Sequence, residues 1–150
     1  MSSEPAEHTR FHDYVHALAR VSDNDESMLL ADVLADPDHA MAEAAILGHL
    51  DRRAAALGDG EAFNTWSQQL AVVLHGRVLP ERRLREWSLI KDIDSEQAWN
   101  TADLVEASDW LQRHVVERTA SQQALTILAG QGRSRRIRNA AHARLKQRLS

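Results

Sequence analysis

The 150-residue chain is 43% apolar and 27% charged, the balance of a soluble globular domain, and no apolar run approaches the roughly 20 residues that a bilayer crossing requires. It has no cysteine, which excludes disulfides, thiol nucleophiles, iron–sulfur clusters and thiolate zinc sites and fits a reducing, cytoplasmic setting. The net charge of −4 conceals a polarity: residues 119–150 hold seven basic and no acidic side chains, whereas residues 1–118 hold eleven basic against 22 acidic ones.

The opening MSSEPAEHTR lacks the basic-then-apolar order of a secretory signal. The three prolines and six glycines fall where helices would break, and no segment alternates apolar and polar residues convincingly. The chain therefore reads as one all-α domain of about seven or eight helices, with residues 1–8 expected to be loosely ordered or disordered.

In chain order, a first helix is predicted from His8 to Val21, with Phe11, Val15 and Leu18, and Tyr14 beside them, on its buried face. The stretch Ser22–Asp25 offers caps for a short helix carrying Met28, Leu29, Leu30, Val33 and Leu34. In DPDHA, Asp36 is placed to cap and Pro37 to open a third helix that runs to Leu57. A fourth spans Glu61 to His75, with Phe63, Trp66, Leu70 and Leu74 on one face, and Pro80 opens a fifth carrying Leu84, Trp87 and Ile90. A sixth extends from Glu96 to Arg118, with a break expected near Asn100–Thr101. A short helix ending at glycine follows, and Ser134 caps a last one that reaches Leu149.

Two stretches repeat this logic. Leu34 to Leu50 reads LADPDHAMAEAAILGHL and Leu128 to Leu145 reads LAGQGRSRRIRNAAHARL; Ala44-Ala45 matches Ala140-Ala141 and Met41 matches Ile137, and Leu50 matches Leu145 if the second turn is one residue longer. Leu30, Leu34, the Asp36-Pro37 turn, Ala44, Ala45, Leu47, Gly48 and Leu50 together resemble a HEAT repeat, and Ile137-Arg138 fits the Val-Arg pair of that family's second helix where Met41-Ala42 does not. The resemblance covers about 45 of the 150 residues and implies a stack of helical hairpins, an α-solenoid; an irregular helical bundle is the alternative.

His8, His12 and His16 form a stripe at helical spacing that could hold zinc or nickel with Glu4 or Asp13, but the stripe borders an apolar face and HExxH is absent. The remaining histidines are scattered, and no phosphate-cradling, nucleotide-binding, nucleophile-elbow or calcium-loop motif occurs. No catalytic, cofactor-binding or metal site is assigned, and an enzyme is not expected.

Trp99 stands in the polar context SEQAWNTAD, where an exposed indole could anchor a partner. In the basic ending, Arg144 and Arg148 crowd the apolar stripe of the last helix, so the charge encircles the helix. Arginine late in a helix suits the dipole, but Arg133, Arg135 and Arg136 lie at the start, where it disfavours cations. The residues expected to meet a partner or an anion are therefore Arg133, Arg135, Arg136, Arg138 and Trp99. The sequence points to a non-enzymatic, cytoplasmic interaction module that binds a protein or associates with itself through its oppositely charged ends, with nucleic-acid or other phosphate-backbone binding as the alternative.

Overall fold

The computed structural model describes residues 4–58 and 60–149, the side chains of residues 4–7 and 149 excepted. Among the described residues the chain is all helical: α1 Glu4–Arg20, α2 Glu26–Leu34, α3 His39–Ala56, α4 Glu61–Val73, α5 Val78–Asp94, α6 Thr101–Val105, α7 Asp109–Arg118, α8 Gln122–Gln131 and α9 Arg135–Leu149. Of the first eight residues, 1–3 lie outside the described part and 4–8 belong to α1. No described helix is long and apolar enough to cross a membrane.

The helix starts are written in short polar side chains. Asn100 accepts from the Ala102 amide at 2.9 Å, Ser108 from Leu111 at 3.2 Å, Ser121 from Ala124 at 3.1 Å and Ser134 from Ile137 at 3.1 Å, each satisfying an amide that the first turn leaves without a partner. The predicted sixth helix divides because Ser108 starts a new one: α6 ends at Val105, and residues 96–100 stay outside any helix. At the third helix the roles of the two aspartates differ from expectation. Asp38 is the cap, accepting from the Met41 amide at 3.1 Å, and Pro37 precedes the helix. Asp36 is buried instead, where it accepts from the Asp38 amide at 2.9 Å, from Tyr14 Oη at 2.7 Å and from Arg10 Nε at 3.0 Å. It thereby fastens α1 to the α2–α3 turn.

The chain forms two compact units, residues 1–85 and 86–150, and the division falls within α5. In the first, α1 and α2 pack on α3, and α4 packs on α2. Leu30, Val33, Ala42, Ala45, Ile46, Leu50, Phe63 and Leu70 fill its core. The small residues fall as the periodicity requires, with Ala45 buried and Ala44 exposed. Burying these side chains contributes about 25 cal/mol per Å² of apolar surface removed from water.

In the second unit α8 and α9 form a close hairpin, against which α6 and α7 pack. Leu104, Leu111, Val115, Leu125, Leu128, Ile137 and Ala141 make the core, with Trp87 and Ile90 from α5 also buried. The hairpin turn admits only glycine at position 132: a Cβ there would stand 2.7 Å from the Leu128 carbonyl oxygen and 2.7 Å from Ile137 Cγ2.

Gln112 is the buried polar pin of this unit. Its Nε2 donates to the Leu104 and Val105 carbonyls, at 2.9 and 3.1 Å, and its Oε1 accepts from the Arg133 amide at 2.8 Å. One amide side chain thus satisfies the end of α6 and the start of the α8–α9 turn. Gln112→Leu keeps the volume but strands the Val105 carbonyl and the Arg133 amide, while the Leu104 carbonyl keeps its bond from the Ala107 amide, and is expected to destabilise the protein by about 2 kcal/mol, measured by urea unfolding. A loss within about 0.5 kcal/mol would mean that water reaches those groups.

Asp36 gives acid sensitivity to the first unit. Hydrogen bonds from Tyr14, the Asp38 amide and Arg10 hold its carboxyl at about 2, against the ordinary 3.8, while burial opposes them. Donating to this carboxylate raises the Tyr14 phenol. Because the folded-state value lies below the unfolded one, protons favour the unfolded chain: the contribution is complete above the unfolded value and is lost as pH falls towards 2. Asp36→Asn is expected to lower the thermal midpoint near neutral pH, by an amount that shrinks as both proteins are acidified through this window. A midpoint difference independent of pH would remove Asp36 as its source.

Candidate functional site

Ionisable and aromatic side chains gather in three places, and their hydrogen bonds separate structural groups from open ones. The first centres on Glu26, in the opening turn of α2, whose carboxylate is buried. It accepts from His49 Nε2 at 2.6 Å, from Trp66 Nε1 at 3.1 Å and from Arg53 Nε at 3.3 Å. Burial raises the Glu26 pKa, but the hydrogen bonds from His49 and Trp66 and the charge of Arg53 outweigh it, so the net shift is downward and the carboxylate stays ionised. Arg52 Nη2 donates to His49 Nδ1 at 3.0 Å, which leaves Nε2 to donate to Glu26. No buried side-chain polar atom among the described residues lacks a partner, so the chemistry of this group is that of a closed joint.

The second is aromatic. Trp110 and His114, one turn apart on α7, lie 5.4 Å apart, and both meet Trp87 edge-on at 5.9 and 5.0 Å. Lys91 stands over the Trp87 ring at 5.8 Å. This group packs α7 against the second half of α5.

The third is a cleft of about 450 Å³ in the second unit, within the size range of ligand pockets. Trp99, Glu96, Gln97, Ser121, Gln122 and Arg148 are among the residues around it. The walls come from the end of α5, the segment before α6, the start of α8 and the end of α9. Trp99 is half-buried, and its indole N–H makes no hydrogen bond among the described residues without being sealed from solvent. It differs in this from Trp66, whose N–H is held by Glu26.

The backbone that carries this cleft is unusual at Glu96. Gln97 N donates to Asp92 O at 3.0 Å and Glu96 N to Ile93 O at 3.4 Å, the paired bonds of a helix end whose key residue is left-handed. Glycine normally occupies that position, and here it is Glu96, at φ 59°. An exposed carboxylate is thus held on a strained backbone beside Trp99.

The basic residues singled out in the sequence divide into two sets. Arg133 Nη1 donates to the Ala107 carbonyl at 3.0 Å and Arg138 Nη1 to the Gly132 carbonyl at 2.8 Å. Arg144 Nη1 donates to the Val116 carbonyl at 2.8 Å, and Arg148 Nη1 to that of Ala120. These four guanidinium groups serve carbonyls at or just beyond the ends of α6, α7 and α8, which helices leave without partners. Arg135 and Arg136 are exposed in the first turn of α9 and make no side-chain hydrogen bond or ion pair among the described residues. They do not join Trp99: the cleft is met by Arg148, 12 residues beyond Arg136 on α9, which is about 18 Å at 1.5 Å per residue.

Arg148 and Glu96 are cleft residues that sequence reasoning missed. The place of Arg148 beside the apolar stripe does not say which surface it meets, and nothing in the sequence marks Glu96 as left-handed. His8 and His12 stack at 6.4 Å, His16 is exposed, and no group of three or more His, Asp or Glu side chains among the described residues is disposed to hold a metal ion.

No protein-family model, curated protein or solved structure matches this chain.

Glu96→Gly relieves the left-handed strain and is expected to raise stability by about 1 kcal/mol in urea unfolding. A destabilisation would show that the Glu96 side chain supports the fold.

Proposed function

We propose that the chain is a non-catalytic protein-interaction module built on HEAT-like helical hairpins, and that the Trp99 cleft is its contact surface. The hairpin reading is supported by the pairs α2–α3 and α8–α9, which fall on the two stretches of matching sequence and bury corresponding alanines, Ala45 and Ala141. Residence in the cytoplasm belongs to the same reading and rests on the cysteine-free sequence.

One observation carries the interaction role. Trp99 presents a half-buried indole and an open N–H in a polar cleft, while Trp66, Trp87 and Trp110 are tied into the fold. Tryptophan anchors contribute disproportionately at protein interfaces, where a large rigid surface and one donor are both used. The surrounding glutamine, serine and glutamate side chains supply adaptable hydrogen-bonding groups.

Binding of nucleic acid through α9 is the weaker reading, because three of its arginines, and Arg133 just before it, are already committed to carbonyl groups. With Arg135 and Arg136 as the remaining phosphate contacts, log K would fall with log salt at a slope of only about −2, far below that of duplex-binding proteins.

Selection of a random peptide library against the full chain, counter-selected on Trp99→Ala, tests the role. A peptide consensus that binds the natural chain and loses about tenfold or more in affinity on Trp99→Ala is expected. Equal enrichment on both proteins removes the cleft as the contact surface. Affinity for duplex DNA with a steep salt dependence would transfer the function to α9.

A further inference from the structure

The Glu96 carboxylate at the cleft and the two open arginines belong to the same unit, are opposite in charge, and cannot meet within one chain. Glu96 and Asp94 border the cleft, opposed by Arg148, whose guanidinium is anchored on the Ala120 carbonyl. The Glu96 carboxylate is exposed and has no side-chain partner among the described residues, and the Trp99 ring adds a face that attracts cations. At the far end of α9, Arg135 and Arg136 are exposed, lack side-chain partners among the described residues, and sit in the first turn, where the helix dipole is positive. Each feature is locally unfavourable: a carboxylate on a left-handed backbone, and two cations at the wrong end of a helix. The separation of about 18 Å along α9 keeps a chain from satisfying itself.

We propose that the occupant of the cleft is a second copy of this chain, which inserts Arg135 and Arg136 beside Trp99 and Glu96. A guanidinium group suits the cleft in shape as well as charge. It stacks flat on an indole and presents several donors to a carboxylate, where an ammonium group offers a point charge. Pairing removes both local conflicts: an opposed carboxylate offsets the cations at the helix start, and the strain at Glu96 acquires a purpose in aiming that carboxylate. The contact joins two different surfaces, so two copies exchange it reciprocally or pass it on to a third. Built from solvent-edged charge pairs and one aromatic, it is weak and salt-sensitive, with a dissociation constant on the order of 10–100 µM at low salt.

This inference rests on the Trp99 cleft being the contact surface, and its test separates the two. Sedimentation velocity of the full chain at low ionic strength is expected to show a weight-average mass that rises with concentration and returns to the monomer value in about 0.5 M salt. Arg135→Glu/Arg136→Glu and Glu96→Arg are each expected to be monomeric. Mixed together they should associate again, because the natural arginines of one variant meet the natural cleft of the other while the reversed charges meet in turn. Restoration in the mixture also shows that both variants are folded. Trp99→Ala is expected to weaken association about tenfold. A natural chain that stays monomeric at every concentration, or association that survives Arg135→Glu/Arg136→Glu unchanged, overturns the second copy as occupant. A peptide consensus selected on Trp99 would then still stand, and the cleft would belong to a different protein.

Discussion

A buried polar group must find partners inside the fold, and the first unit is arranged around one such group, the Glu26 carboxylate. It joins three helices: α2 supplies the acid, α3 supplies His49 and Arg53, and α4 supplies Trp66. Burial alone would push a carboxyl towards the neutral form, so the network is what keeps it charged. His49 is in turn fixed between Glu26 and Arg52, which settles its ring orientation. Removing one donor leaves a buried charge incompletely met, a cost of about 3–5 kcal/mol where such pairs are broken. The apolar core supplies most of the cohesion, but its side chains pack in many ways; this carboxylate accepts one arrangement.

The same constraint shapes the second unit with neutral groups. Its recurring problem is the helix C-terminus, where carbonyls point away from any partner. Gln112 answers it for Leu104 and Val105, and Arg133, Arg138, Arg144 and Arg148 answer it for Ala107, Gly132, Val116 and Ala120. A long arginine suits this work because its stem can run along apolar surface while its head reaches a carbonyl on an adjacent helix or turn. The basic ending is thus mainly a set of caps supplied from a distance. The charge balance follows: residues 86–150 carry ten basic and eight acidic side chains, whereas residues 1–85 carry eight and fourteen.

What could be read from the sequence was what is local. Helix starts at Thr101 and Ser134 and the buried face through Phe63, Trp66 and Leu70 depend on spacings of a few residues. The decisive polar groups depend on partners 21 to 40 residues away, such as Trp66 for Glu26 and Arg133 for Gln112. A lone glutamate in a first helical turn reads as a partner for the helix dipole, and a glutamine on an amphipathic helix reads as a surface residue. Asp36 and Asp38 exchanged roles for a similar reason: both can cap, and the choice fell to Arg10 and Tyr14, more than 20 residues upstream. Of the candidate site, Trp99 was legible from its polar neighbourhood. Arg148 and Glu96 were not, since one arrives through the fold and the other is set by a backbone angle.

The two features of the second unit that break local rules are therefore the informative ones. Sequences that fold well agree with their structures at each level, and disagreements persist where something else compensates them. Glu96 occupies a glycine position, and Arg135 and Arg136 face the positive end of a helix, although neighbouring arginines show that this chain readily places guanidinium groups on carbonyls. The second unit has carbonyl partners for Arg133 and Arg138 on either side of them, yet neither Arg135 nor Arg136 takes one among the described residues. Their exposure is then a property of where α9 presents them rather than a shortage of acceptors. In the proposed pairing the Glu96 carboxylate, just past the end of α5, meets the cations at the start of α9 of another copy, so that both local costs are met outside the chain.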